Sequence, residues 1–130
     1  MLFVLNTSLD PHFCALFDKD QNLIDQVSWE DRKQDGRSVF EFLEKHPEKL
    51  SFIGGISGPG GFSSLRAASS ILQALALKYD LPIHQIRADD QPDLQDPKIL
   101  LQALQAQDPQ AHFLPNYDHD PVRRDHPPKS

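Results

Sequence analysis

Cysteine is nearly absent from this sequence. The single thiol, Cys14, cannot form a disulfide within the chain, and it lies in an apolar, strand-like run. An unpaired cysteine in such a run packs as a small hydrophobic side chain. Disulfides persist mainly in oxidising compartments, whereas a lone cysteine is typical of a reducing one. The sequence therefore predicts a cytoplasmic location.

Long apolar runs and a surplus of basic residues are also missing. No window reaches the roughly 18 apolar residues of a membrane-spanning helix, and the N-terminus lacks the basic and apolar regions of a signal peptide. The 13 Lys and Arg residues are outnumbered by 19 Asp and Glu, which gives a formal net charge of -6. Proteins that bind nucleic acid over a broad surface are usually basic. We therefore expect no membrane contact, and contact with RNA only through a partner.

Composition divides the chain into three segments. Residues 1–88 carry strand and helix patterns, residues 89–107 form an acidic linker followed by a short helix, and residues 108–130 contain five prolines. A chain of 130 residues suffices for one domain with a modest core. The third segment is predicted to be extended or partly disordered, with 113–117 as the part that can be anchored.

Apolar runs, alternating patterns and helical spacing predict an α/β protein. In chain order, strands are predicted at 2–5, 12–18 and 23–29, a helix at 38–45, a strand at 50–56, a helix at 62–78, a strand at 81–86 and a further helix at 98–107. Short turns make the first three strands an antiparallel meander, and the later strands follow by helical crossovers. This order predicts a five-stranded mixed sheet, the arrangement of one lobe of the actin-like ATPase or ribonuclease H-like folds.

The helix predicted at 62–78 has no ionisable side chain between Arg66 and Lys78. One row of its side chains, which includes Phe62, is expected to face the sheet, and a second row faces away from it. A helix with a solvated face normally carries several charges. We therefore expect another protein to cover the second row, which consists of Ala67, Ser70, Ile71, Ala74 and Leu77. Arg66 itself is either a contact to a partner or an anion, or a solubilising charge.

A glycine loop, Gly58-Pro59-Gly60-Gly61, precedes this helix, and Ser63 is its predicted N-cap. Free amides at a helix N-terminus can bind an anion, so Gly58, Gly60, Gly61 and Ser63 form a candidate anion site. The loop lacks the lysine of a P-loop and the spacing of a dinucleotide fingerprint. A tight turn that brings the helix close to the strand is the competing interpretation.

The polar residues do not form a recognised catalytic or metal-binding pattern. Asn6 ends the first strand, where a metal-dependent enzyme of this topology would need a carboxylate. The histidines at 12, 46, 84 and 112 are isolated from any cysteine or serine nucleophile. The acidic and histidine residues between Asp118 and His126 have no metal-ligand spacing. The sequence thus predicts a non-catalytic protein that binds no metal.

The segment from Gly58 to Arg66, G-P-G-G-F-S-S-L-R, carries a family resemblance. Together with the alanine-rich helix and the segment from Ala76 to Ile83, it resembles the G-P-G-S-F-T-G-L-R region of the TsaB (YeaZ-like) family. That family takes part in the threonylcarbamoyl modification of tRNA adenosine 37. Asn6-Thr7-Ser8 is similar to the family's N-terminal Asp-Thr-Ser. The resemblance extends over residues 1–88.

The resemblance implies an actin-like lobe that does no chemistry itself. In the family this lobe binds the catalytic homologue TsaD through two helices and helps to recruit the ATPase TsaE, while tRNA is contacted only indirectly. The resemblance implies a partner interface at Val39, Phe42, Leu43, Arg66, Ala67, Ser70, Ile71 and Ala74. It implies no cofactor of the chain's own, with ATP or ADP bound only at the partner interface, and a homodimer when the partner is absent. A stand-alone nucleotide- or anion-binding protein and a homodimeric scaffold are the alternatives.

The sequence also departs from the family. Asn6 replaces an aspartate, Gly61 and Ser63-Ser64 replace Ser and Thr-Gly, and Asp35-Gly36 replaces His-Ser. Full-length relatives continue into a second lobe, and the linker, helix and tail stand in its place here, so we expect the second lobe to be missing. The segments 113–117 and 122–124 are similar to the family's Pro-x-Tyr-Leu-Arg ending.

Overall fold

Five strands form one mixed sheet in the computed structural model, which describes residues 1–89 and 91–117. They are β1 (Leu2–Asn6), β2 (His12–Phe17), β3 (Leu23–Trp29), β4 (Phe52–Gly58) and β5 (Ile83–Arg87), in the spatial order β3-β2-β1-β4-β5. The pairs β1·β2 and β2·β3 are antiparallel, and β1·β4 and β4·β5 are parallel. The α/β class and the predicted five-stranded mixed sheet are confirmed.

Three α-helices cover the sheet, namely α1 (Asp35–Glu44), α2 (Phe62–Tyr79) and α3 (Pro97–Gln105). Helix α1 begins three residues earlier than predicted, so Ser38 lies inside it and is not its N-cap. The cause is a short 3-10 turn, Arg32–Gln34, which Asp31 caps by accepting from the Lys33 amide and which runs directly into α1. Helix α3 starts at Pro97, one residue before the predicted start, and the Asp96 side chain caps its first turn.

The centre of β4 carries two glycines that face opposite helical layers. A Cβ at Gly54 would lie 3.0 Å from Leu104 of α3, and a Cβ at Gly55 would lie 3.0 Å from Leu72 of α2. Successive residues of a strand point to opposite faces, so each glycine admits one helix. The prediction that this apolar strand is covered on both faces is confirmed.

Two apolar clusters fill these two interfaces. Phe3 and Leu5 of β1 pack with the α1 and α2 layer, whereas Val4 packs with the α3 layer. Cys14 belongs to the first cluster, and burial raises the pKa of its thiol, which therefore stays protonated. Within the described residues no helix is both long and apolar enough to span a membrane.

The composition change after residue 88 does not mark the edge of the core. Leu94, Leu100, Leu101 and Leu104 are fully buried against the strands. Segment 89–107 therefore completes the second face of the sheet, although its sequence begins like a linker. Its Asp96 side chain caps α3, its Asp89 pairs with Arg87, and its leucines supply the packing.

We predict that Leu104→Ala lowers the free energy of unfolding by about 2 to 5 kcal/mol, because it opens a cavity opposite Gly54. Gln102→Ala is the control, since Gln102 lies on the exposed side of the same helix and should change stability by less than about 0.5 kcal/mol. Urea denaturation measures both. Equal, small effects would contradict the assignment of α3 to the core.

A side-chain hydrogen bond joins His46, just after the end of α1, to the outer strand β3. His46 Nε2 lies 2.8 Å from Asp25 Oδ2, and this hydrogen bond lowers the pKa of Asp25. A carboxylate with a lowered folded-state pKa stabilises the fold above its ordinary pKa, and this contribution is lost as the pH falls through the lowered value.

We therefore predict that Asp25→Asn lowers stability at pH 7, by less than about 1 kcal/mol because the pair is partly exposed, and that the difference from the unmodified chain narrows by about pH 3. Denaturation at both pH values measures this. Asp20→Asn serves as the control, because the Asp20 carboxylate accepts no hydrogen bond within the described residues. A deficit of the same size at both pH values would contradict the assignment.

Candidate functional site

Asn6 lies at the carboxyl end of β1 and is buried. Its Oδ1 accepts from the amides of Ser8 and Leu9 at 2.9 and 2.8 Å, and its Nδ2 donates to the carbonyls of Leu9 and Pro11 at 2.9 and 3.1 Å. An amide side chain has two acceptor positions and two donors, and all four are used. Asn6 therefore orders the β1–β2 turn. Within residues 1–89 and 91–117, no group of three or more potential ligands could hold a metal ion.

The glycine loop leads from β4 into α2, and Gly61 is the N-cap of that helix. Leu65 N donates to the Gly61 carbonyl at 3.1 Å, so the helix starts one residue before Ser63. The predicted N-cap, Ser63, is thus inside the first turn and exposed. A Cβ at Gly60 would lie 3.4 Å from its nearest neighbour, and a Cβ at Gly61 would lie 3.9 Å from its nearest neighbour. Both distances are ordinary van der Waals contacts. The anion site stays a prediction.

Residues 110–117, the C-terminal strap, run along the outer edge of β5. Gln110 exchanges two backbone hydrogen bonds with Ile83, at 2.8 and 2.7 Å. The Gln85 side chain donates to the carbonyl of Leu114 and accepts from its amide, at 3.0 and 2.7 Å. Phe113 is buried in the α2-side core. The strap therefore protects an edge that would otherwise present unpaired backbone groups.

The strap ends against the glycine loop. Asn116 N donates to the Ser57 carbonyl at 2.6 Å, and Asn116 Nδ2 donates to Ser57 Oγ at 3.1 Å. Gly58 has φ +131°, and a Cβ there would collide with the Asn116 carbonyl oxygen. Gly58 is thus required by backbone conformation and by the strap, which supports the tight-turn interpretation at this position. The predicted residue types between Asp118 and His126, and segment 122–124, lie outside the described residues.

The predicted interface residues of α1 divide between core and surface. Val39 is 1% exposed and Phe42 is 4% exposed, so both contribute to the core and neither is available to a partner. They form the apolar row that covers the sheet, whereas the family resemblance implied that they face a partner. Leu43 is half-buried, and Phe40, which the sequence analysis missed, is 63% exposed. The sequence signal for this exposed residue was available, because Phe40 directly follows Val39 and therefore lies outside the apolar row.

The outward row of α2 lies in solvent. Ser70 and Ala74 are exposed, Ala67 and Ile71 are half-buried, and Leu77 is 86% exposed. The strap passes along another flank of α2, since Phe113 joins the core beneath it. No part of the described chain covers this row. We call this row of α2 together with Phe40 the α1/α2 face, which consists of Phe40, Ala67, Ser70, Ile71, Ala74 and Leu77.

Phe62 was predicted to face the sheet, but it is 49% exposed. Its ring centroid lies 5.2 Å from that of Tyr117, and the guanidinium carbon of Arg66 lies 5.2 Å from the Phe62 centroid. The strap residue Tyr117 draws Phe62 away from the sheet. These three side chains form a stack at the N-terminal end of α2.

His12 belongs to a buried polar cluster, although the sequence analysis treated it as an isolated residue. His12 Nδ1 lies 2.7 Å from Asp35 Oδ1, and Trp29 Nε1 donates to the same oxygen at 2.6 Å. All three side chains are buried, and they join β2, β3 and α1. His12 Nε2 and Asp35 Oδ2 have no hydrogen-bond partner within the described residues. The cluster fixes the start of α1, and a separation of 23 residues hid the pairing from sequence patterns.

Two solved structures show what this arrangement resembles. YeaZ from Pseudomonas aeruginosa is 20% identical with a TM-score of 0.54, and the alignment covers 66% of this chain and 43% of that protein. A second, described as an uncharacterized protein with similarity to peptidase YeaZ from Pseudomonas aeruginosa, is 19% identical with a TM-score of 0.54 and covers 71% and 49%. The chain has the YeaZ fold. The predicted resemblance to YeaZ is confirmed at the level of the fold.

The chain spans less than half the length of each of these YeaZ-fold proteins. No protein-family model matches the sequence, and no curated protein matches it. The likeness to YeaZ is therefore one of fold.

We predict that Gly58→Ala lowers the free energy of unfolding by about 1 to 3 kcal/mol from the backbone conformation alone, with a further loss because Asn116 is displaced. Gly36→Ala is the matched control. Gly36 lies in α1 with no atom within 4 Å of the added methyl group, so the same change should stabilise the chain by up to about 1 kcal/mol. Denaturant unfolding measures both variants, and the same sign for both would contradict the role of Gly58.

Proposed function

We propose that this chain is a non-catalytic, TsaB-like subunit that binds a TsaD-like protein in the threonylcarbamoyl modification of tRNA adenosine 37. The YeaZ fold and the glycine segment support the family role. The observation that carries the proposal is the α1/α2 face, which is exposed and has no ionisable side chain between Arg66 and Lys78 of α2. An uncharged helix face of this length is typical of one that packs against another helix.

The chemistry of the face suits helix packing. Ala67, Ser70 and Ala74 have small side chains, and helices with small residues at their contact approach more closely. Phe40 and Leu77 offer exposed apolar area that a partner would bury. The proposed interface therefore keeps Leu43, Arg66, Ala67, Ser70, Ile71 and Ala74, adds Phe40 and Leu77, and loses Val39 and Phe42.

A non-catalytic role is supported by Asn6. A metal-dependent lobe of this topology needs a carboxylate at that position, and here an amide uses all its hydrogen bonds inside the turn. In this proposal ATP or ADP binds only where the partner completes a site, a TsaE-like ATPase joins the complex, and tRNA is contacted through the partner. The proposed location is the cytoplasm, and a second copy occupies the face when the partner is absent.

In this proposal the described residues form one lobe of the TsaB-like fold. Only residues 106–109 lie between the end of α3 and the strap, so no second lobe is inserted there. The strap contains Pro115 and Tyr117, similar to the family's terminal motif, and it packs on the glycine loop.

Coexpression with the TsaD-like protein of the same genome, followed by size-exclusion chromatography and calorimetry, tests this proposal. We predict that the two proteins co-elute and that Ala74→Glu weakens binding at least tenfold, because an unpaired charge is desolvated in the interface. Ala74 is exposed, unlike Ile71, so the fold should be retained.

Gln102→Glu is the matched control. It adds the same charge on the exposed side of α3, on the opposite face of the sheet, and should leave binding unchanged. Absence of co-elution, or equal effects of the two variants, would argue against the subunit role. Binding of magnesium ATP by the isolated chain would instead favour a stand-alone nucleotide-binding protein.

A further inference from the structure

Arg66 is held in place at the start of the α1/α2 face. Its guanidinium lies over the Phe62 ring, and Phe62 contacts Tyr117, whose backbone bridges to Gly60. A cation over an aromatic face is attracted to the negative potential of the ring. The aromatic ring accepts no conventional hydrogen bond, so the N–H donors of the guanidinium can still bind a carboxylate.

Arg66 has no carboxylate partner within the described residues. The other arginines in the described part of the chain differ, because Arg32, Arg37 and Arg87 each form an ion pair with an aspartate or glutamate. The whole chain carries a net charge of -6, so acidic groups are plentiful. A pre-ordered cation without an acidic partner, at the edge of an uncharged face, is suited to a carboxylate supplied from outside.

We propose that Arg66 binds a carboxylate on the partner's helix and thereby selects a different protein over a second copy of this chain. This inference rests on the proposed function. The planar fork of N–H donors matches the two oxygens of a carboxylate, and a bidentate pair fixes orientation as well as adding affinity. Closure of the surrounding apolar contact strengthens the pair by excluding water.

In a contact made by the two α2 helices alone, a second copy would meet this cation with a like charge, because the Glu44 carboxylate near Lys78 belongs to α1. If α2 packs antiparallel on its own copy, Arg66 approaches the C-terminal turn that contains Lys78, because the helix spans Phe62–Tyr79. If the two helices pack in parallel around a twofold axis, Arg66 faces its own copy. The residues between Arg66 and Lys78 include no carboxylate in either arrangement. Like charges facing each other disfavour such a contact.

The test uses the full chain and the TsaD-like protein, with Arg66→Gln against the matched control Lys78→Gln. Each variant removes one positive charge from α2, and Lys78 also lies over an aromatic ring, that of Tyr79. We expect Arg66→Gln to weaken partner binding at least tenfold and Lys78→Gln to change it by less than about twofold. Arg66→Lys should fall between them, since lysine keeps the charge but lacks the fork. Raising the salt should weaken binding by the unmodified chain more than binding by Arg66→Gln.

Self-association of the chain should respond to Arg66→Gln in the opposite direction from partner binding. In sedimentation velocity without the partner, Arg66→Gln should dimerise at least as strongly as the unmodified chain, because it removes the like-charge contact. Weakening of both self-association and partner binding by Arg66→Gln would overturn the inference. So would equal losses for Arg66→Gln and Lys78→Gln.

Asp118→Asn examines whether the carboxylate belongs to this chain, since Asp118 follows Tyr117 in the sequence and lies outside the described residues. If Asp118→Asn and Arg66→Gln lower thermal stability equally and neither changes partner affinity, Arg66 serves its own tail and the inference fails. Unchanged binding by Arg66→Gln overturns this inference alone. Absence of binding by the unmodified chain overturns the proposed function, and this inference with it.

Discussion

The close packing of the two helical layers on β4 determines where the helices lie in this structure. Gly54 and Gly55 have no side chains, so Leu104 and Leu72 reach the strand backbone from opposite faces. A Cβ at either position would also press on a neighbouring strand's carbonyl oxygen, at 2.8 Å from His84 and 2.9 Å from Leu5. Since β4 lies between β1 and β5, these contacts fix α2 and α3 against the centre of the sheet. The outward side of α2 is what remains for other molecules.

Local patterns were sufficient to predict most of the fold. Apolar runs, short turns and helical spacing depend on neighbouring residues, and they predicted the meander, the crossovers and α3. The same patterns failed where distant contacts decide the outcome. The cluster of His12, Trp29 and Asp35 moves the start of α1, and Tyr117 pulls Phe62 off the sheet. Neither pairing leaves a periodic signal.

The candidate face was predictable in part, for a physical reason. The absence of charge on α2 is visible in the sequence, and the structure shows the same row in solvent. On α1, however, the family resemblance implied a partner interface at Val39 and Phe42, although both side chains are needed to cover the sheet. A buried apolar row and a partner-facing one have the same helical spacing. Only the packing shows that Phe40 is the exposed member.

The strap has a consequence for the order of events during synthesis. Residues 110–117 are translated after every strand and helix of the described chain, yet they cover the outer edge of β5 and steady the ring beneath Arg66. Until they leave the ribosome, β5 presents open backbone groups to other nascent chains. The surface proposed to bind a partner is therefore completed last, when Tyr117 takes its place beside Phe62.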